Sequence, residues 1–164
     1  MRNLYCFVTG LFIMIYMYRN EVVHVIVISW VSYAIMVVVP RKRQHVWVLV
    51  FVTVYNAGMQ IYNMWKDYGG WRLEVTAATM PLVCKLNALS FAYKDGVTNR
   101  KKMTEYKIKK QVIFMPTFLE YNAYVCCCAG MLIGPWHEFK DFKDWIDFKG
   151  VFKDMPTRSL IPIW

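Results

Sequence analysis

At 164 residues and 57% hydrophobic, this chain is too apolar for an ordinary water-soluble domain of its length. Its formal net charge of +9 is concentrated in short segments beside apolar stretches, where Lys and Arg meet anionic head groups; a nucleic-acid binder would instead need an exposed basic face. The five cysteines include Cys126, Cys127 and Cys128 in a row, and neighbours on a helix point about 100° apart, so they form neither a disulfide framework nor a metal site.

A hydrocarbon core of about 30 Å asks for about 20 mostly apolar residues per helix. Leu4 to Tyr18 is the first such stretch, at the short edge of that range. It is a retained membrane helix rather than a signal peptide, because bulky Tyr16-Met17-Tyr18-Arg19 follows where small residues would mark cleavage. Val22 to Val39 is apolar all round except His24, Ser29 and Ser32, with His24 expected to hydrogen-bond a neighbouring helix. Pro40-Arg41-Lys42-Arg43-Gln44-His45 is a basic turn: Pro40 ends the helix, and three positive side chains keep the turn out of hydrocarbon.

Val46 to Tyr62 is the third stretch. It passes Asn56 and Gln60 and leads to Asn63, Trp65, Tyr68, Gly69-Gly70 and Trp71, aromatic rings and a glycine turn typical of a membrane boundary. Val75 to Tyr93 is the fourth, where Pro81 is expected to break the helix. Lys94 to Gln111 is the longest hydrophilic segment and carries Arg100, Lys101, Lys102, Lys107, Lys109 and Lys110. Val112 to Gly134 is the fifth stretch, with Pro116 at its start or at a kink.

From His137 to Lys149 the chain is too charged to span. Phe139, Phe142, Trp145 and Ile146 fall on one helical face, while Lys140 with Asp144 and Lys143 with Asp147 lie one turn apart on another. Such a helix lies flat in the interface or packs on protein. Ser159 to Trp164 resembles the opening of a further apolar stretch, as in a truncated chain.

The fold class is therefore all-α: a polytopic transmembrane bundle with spans near 4–18, 22–39, 46–62, 75–93 and 112–134, and a C-terminal amphipathic helix near 137–149. Lys/Arg bias puts the 94–111 loop in the cytoplasm. Simple alternation puts the N-terminus and the 40–45 turn on that side and the basic C-terminal segment on the opposite side.

Ionic and strongly polar groups inside a span are costly unless paired or facing a wet cavity. Lys85 is mid-span and cannot easily snorkel, and it needs a carboxylate, carbonyls or water. Asn87, two residues on, meets different neighbours, and Asp95 closes the stretch. Glu120 and Asn122 are the counterparts expected for Lys85; a Lys85–Glu120 pair would fix helix packing or line a polar path. His137 could serve as a base near neutral pH, but no triad or metal spacing surrounds it, and no catalytic or metal residue is assigned.

Leu86-Asn87-Ala88-Leu89-Ser90-Phe91-Ala92-Tyr93-Lys94-Asp95-Gly96 is followed, after the basic loop, by Pro116-Thr117-Phe118-Leu119-Glu120-Tyr121. Then come Gly134-Pro135, Phe139, Asp141-Phe142 and Trp145-Ile146. The order resembles membrane-bound O-acyltransferases of the lysophospholipid acyltransferase branch, over about Val75 to Gly150. That resemblance implies transfer of a fatty acyl group from acyl-CoA, as co-substrate, to a lysophospholipid in a multi-pass endoplasmic reticulum membrane protein, with no bound cofactor and no nucleic acid. It also implies a catalytic histidine, with an asparagine upstream, in a later helix beyond Trp164, leaving this chain silent by itself. Glu120, Tyr121, Gly134 and Pro135 match positions that shape the tunnel. Two other readings stand beside it: a non-catalytic membrane scaffold or regulatory partner, and a transporter using Lys85, Asn87, Glu120 and Asn122, which lacks the usual internal repeats.

Overall fold

A computed structural model describes residues 2–66, 75–97, 103–127 and 137–150. Among them the chain is helical, without strands: α1 Arg2–Tyr18, α2 Val22–Val38, α3 Gln44–Lys66, α4 Thr76–Asp95, α5 Glu105–Lys110, α6 Phe118–Val125 and α7 Phe139–Asp147. The expected boundary at Tyr68 to Trp71, the basic Arg100 to Lys102, Cys128, the Gly134-Pro135 pair and the closing apolar residues lie outside the described residues.

Arg2–Val38 is the one described stretch long and apolar enough to cross a membrane by length and composition. A short 3-10 turn, Arg19–Glu21, divides it. Arg19 sits at φ 48°, a left-handed conformation that costs a residue with a Cβ about 1–2 kcal/mol, so α1 and α2 are separate helices. Val39 is extended (φ −82°, ψ 139°), as the residue before a proline prefers. The Pro40 carbonyl then accepts from the Arg43 and Gln44 amides to start α3.

α3 and α4 form the most extensive helix pair. Polar side chains cross-link the interfaces at intervals. The His24 ring lies 2.9 Å from the Tyr55 hydroxyl between α2 and α3, Thr79 donates to Asn56 at 2.8 Å between α4 and α3, and Gln44 donates to the Ser90 carbonyl at 3.3 Å. The expected helix contact of His24 is therefore met by Tyr55. α4 does not break at Pro81 but runs through it from Thr76 to Asp95. A proline removes one intrahelical bond, and enclosure by other helices tolerates that loss.

Opposite charges hold the two ends of α4. At its N-terminus, the Val75 amide donates to the Glu21 carboxylate at 3.3 Å. At its C-terminus, Arg41 donates to the carbonyls of Tyr93 (2.8 Å) and Val112 (2.7 Å), with its guanidinium 3.9 Å from the Tyr93 ring centroid. Both charges suit the helix dipole. Gly96 explains the Asp-Gly pair that closes the helix: a Cβ there would overlap the Val112 carbonyl and press on Arg41. The basic 40–45 turn is thus a structural clasp as well as a polar boundary.

The fifth expected span, 112–134, is not one continuous helix over its described residues 112–127, and its remainder lies outside them. Residues 112–117 are not helical, and α6 is only 8 residues long, about 12 Å at 1.5 Å per residue. A Cβ on Gly10 would overlap the Cys126 carbonyl, so the lack of a side chain there allows α1 and the end of α6 to touch backbone to backbone.

α7 is shorter than the 137–149 helix expected. Its aromatic face does not point wholly outward: Phe139 and Phe142 are buried, while Trp145 and Phe148 are exposed. Lys140 pairs with Asp144 at 3.3 Å as its spacing predicts, but Lys143 lies 3.5 Å from Glu120 rather than on Asp147, which takes Lys149 at 3.0 Å.

Candidate functional site

The buried polar centre lies where α4, α6 and the start of α7 meet. Lys85 is fully buried halfway along α4, and its ammonium stands 5.5 Å from the centroid of the Tyr124 ring on α6. A cation over an aromatic face is stabilised by the ring quadrupole, more so where water is excluded. The Tyr124 hydroxyl donates to the His137 carbonyl at 2.8 Å. Its ring takes the edges of His137 and Phe139 at 5.7 and 5.4 Å.

His137 closes the cluster. Its imidazole stacks on Phe142 with centroids 6.0 Å apart and planes 26° apart. Burial first, and the Lys85 charge second, push its pKa down to about 4 against the opposing pull of Asp141. The ring is neutral at physiological pH. Its Nε2 is buried with no hydrogen-bond partner among the described residues. The cluster can therefore offer a positive potential from Lys85 and one imidazole nitrogen able to take a hydrogen bond.

The six polar residues singled out in sequence divide into separate environments. Lys85 and His137 belong to this cluster. Asn87 makes no hydrogen bond to it among the described residues: its Oδ1 is buried with no partner there, and its carbonyl accepts from Ser90 at 2.8 Å. Asp95 stays at the end of α4, beside Gly96 and the Arg41 clasp.

Glu120 is not the partner expected for Lys85. It completes a capping box with Thr117 at the start of α6, accepting from the Thr117 amide at 3.2 Å, and its other oxygen faces Lys143. A carboxylate at that position satisfies an otherwise orphaned amide, so local helix geometry competes for Glu120 more directly than a lysine on another helix. Asn122 is a packing residue: its amide donates to the Phe118 carbonyl at 2.8 Å and its oxygen accepts from the Trp30 indole at 3.2 Å.

Sequence reasoning missed Tyr124 and Gly10, and it gave Tyr121 and Arg41 no hydrogen-bond partner. Tyr121 is fully buried and donates to the Ser29 carbonyl at 2.7 Å. The signal available for both tyrosines was their place beside Glu120 and Asn122 in a stretch otherwise read as a simple span. Among the described residues no group of three or more His, Cys, Asp or Glu side chains is arranged to hold a metal ion.

A second feature lies at the surface, where an open groove between the start of α1 and the end of α7 is lined by Arg2, Asn3, Ile146, Asp147 and Lys149.

Residues 20–163 match the MBOAT, membrane-bound O-acyltransferase family. The chain is 28% identical to lysophospholipid acyltransferase 1 of Arabidopsis thaliana over 96% of this chain and 34% of that protein. It is 32% identical to lysophospholipid acyltransferase 2 of the same plant over 60% of this chain and 21% of that protein. It is 26% identical to human membrane-bound glycerophospholipid O-acyltransferase 2 over 89% of this chain and 28% of that protein. The chain thus spans at most about a third of the length of these relatives.

Proposed function

This chain belongs to the membrane-bound O-acyltransferase family, and on that premise we propose that it is the N-terminal part of an enzyme that transfers a fatty acyl group from acyl-CoA to a lysophospholipid. The lysophospholipid hydroxyl attacks the thioester carbonyl, the carbon–sulfur bond breaks and the CoA thiol leaves. The hydroxyl proton passes to a base and from it to the departing sulfur. That base is assigned to a histidine outside the 164 residues, with an asparagine upstream of it.

The role of this chain is architectural. α1 to α4 cross the membrane of the endoplasmic reticulum as a multi-pass bundle, and α6 and α7 close one wall of the tunnel that admits two greasy substrates from lipid. α3, of 23 residues, and α4, of 20, reach about 35 and 30 Å. α1 and α2, of 17 residues each, reach about 26 Å and cross with local thinning of the bilayer or help from flanking residues. The buried faces combine an apolar core with a few polar cross-links, and the outward faces carry large apolar side chains such as Phe12, Trp30, Val54 and Ile61, the distribution suited to lipid.

The observation that carries the reading is the family match across nearly the whole chain, including both motif blocks. The test is acyl transfer from radiolabelled acyl-CoA to a panel of lysophospholipids in membranes containing the polypeptide extended beyond Trp164. Labelled diacyl phospholipid is expected from the extended protein and none from residues 1–164 alone. An extended protein that binds acyl-CoA yet labels a protein or a sterol instead of a lysophospholipid would overturn the substrate class.

A further inference from the structure

Taking the multi-pass reading above as its basis, we propose that α6 enters the bundle from the end that carries the basic 40–45 turn, stops at mid-depth, and leaves α7 at that same end. The N-terminus, the two basic segments and α7 then form one basic and aromatic face, set against the anionic leaflet. Alternation of five full spans would place α7 on the opposite side.

Contacts along α6 set its depth. Before the helix begins, the Val112 amide donates to the Ala92 carbonyl at 3.0 Å near the C-terminus of α4, and the Pro116 carbonyl accepts from Tyr33, five residues from the end of α2. Further in, Tyr121 reaches Ser29 and Tyr124 stands beside Lys85, nine residues from the start of α4 and ten from its end. The helix then meets Gly10, eight residues from either end of α1. α6 therefore ends at about half the depth of two independent helices.

Return to the starting end is equally well marked. Lys110 of α5 binds both carboxylate oxygens of Asp141, and Tyr106 donates to Glu138. Arg2, at the start of α1, donates to the Ile146 carbonyl at 2.6 Å and stacks 4.3 Å above the Phe148 ring. Phe148 takes φ 51° and closes α7, with the Lys149 amide on the Asp144 carbonyl at 2.8 Å. The N-terminus of α1, the C-terminus of α4 and the charged side and C-terminus of α7 thus share one end of the molecule, while Phe139 and Phe142 reach inward to Tyr124.

Two physical conditions agree with this path. Backbone that stops inside hydrocarbon survives only when enclosed by protein, and every residue from Tyr121 to Cys127 is buried. A full span would show a lipid-facing side. The second is charge: Lys42, Arg43, Lys107 and Lys109 are exposed on this end with Phe114 and Trp145, while the acidic groups Asp141 and Asp144 of α7 are engaged by Lys110 and Lys140. Excess positive charge mixed with aromatic rings fits the head-group layer of the leaflet rich in anionic lipid. The conflict between the basic loops and a C-terminal segment on the other side disappears.

The test is protease protection in sealed vesicles with the cytoplasmic face outward, using epitope tags placed singly after Lys42, after Lys149 and between α3 and α4 in the full-length protein. The first two tags are expected to be digested and the third protected. A protected tag after Lys149 with a digested tag after Lys42 would overturn the return of the chain, and protection of both would overturn the assignment to the anionic leaflet. Digestion of all three would instead refute the multi-pass reading. Lys42→Cys and Lys149→Cys, labelled with a membrane-impermeant maleimide, read the same sidedness without insertions, and labelling of only one of them would equally overturn the proposal.

Discussion

The α3–α4 pair and the α6–α7 pair use opposite solutions to the same problem of holding helices together where water is scarce. α3 and α4 are long, meet along much of their length, and are pinned by spaced side-chain hydrogen bonds and by charges at the ends of α4. α6 is short, has no exposed side beyond its first turn, and depends on a missing side chain at Gly10 and on rings packed edge-on and tilted around Tyr124. Length gives the first pair many weak contacts, so the loss of one is shared. The second pair concentrates its contacts, and a single misplaced atom disrupts it.

The sharpest way to break the contrast is Gly10→Leu. The new side chain overlaps the Cys126 backbone, which cannot move aside as a flexible side chain would; overpacking of this kind costs about 1–3 kcal/mol or more. A large fall in thermal midpoint and in monodisperse yield in detergent is expected. Gly58→Ala on α3 is the matched control, since a Cβ there meets nothing within 4 Å. It should instead stabilise by up to about 1 kcal/mol through helix propensity. Equal losses at the two glycines would show that close approach is not what holds α6.

Arg41→Met comes next. It removes two hydrogen bonds from a charged donor and a cation–π contact, while keeping much of the side-chain length. A loss of about 2 kcal/mol is expected, with only partial recovery in Arg41→Lys because a single ammonium cannot reproduce the fork. The thermal midpoint of each variant in detergent checks it. Full stability in both variants would remove the clasp from the account of α4.

A pH titration distinguishes the two regions more gently. His137 is lowered to about 4 from 6.5, so between those values the unfolded chain binds the proton more readily than the folded one. Stability from this group is complete above pH 6.5 and declines as pH falls toward 4. His137→Phe should flatten that part of the stability profile relative to the parent protein. An unchanged acid slope would mean that the imidazole titrates freely in the folded state.

Smallest is Thr117→Ala, which removes one half of the α6 capping box. A cost of about 1 kcal/mol is expected from lost capping, with little further contribution from the exposed Glu120–Lys143 pair. Thermal unfolding at low and high salt separates the two, because only the ion pair is screened.

Much of the first four helices was legible in the chain. Apolar runs bounded by Pro40 and the Arg19 region define their extents to within a few residues, and α3 outran its expected end because Asn63 and Lys66 remain compatible with helix. The motif blocks pointed to the family for a related reason: Gly96 and Glu120 carry local geometric duties that leave a mark on the residues around them. The partners of Lys85 and Glu120 were not legible. Opposite charges in two apolar stretches imply only that each needs compensation, and an aromatic face or a capping amide provides it as well as a carboxylate or lysine.

Composition and hydropathy alone pointed to a helical membrane protein, because burying backbone amides in hydrocarbon requires each apolar segment to satisfy its own hydrogen bonds. Only the tertiary structure decided that Val112 to Val125 does not cross as a single helix. Hydropathy measures how willing a segment is to leave water and carries no information about whether lipid or protein receives it. The Gly10–Cys126 approach and the Lys85–Tyr124–His137 cluster made protein the receiving medium.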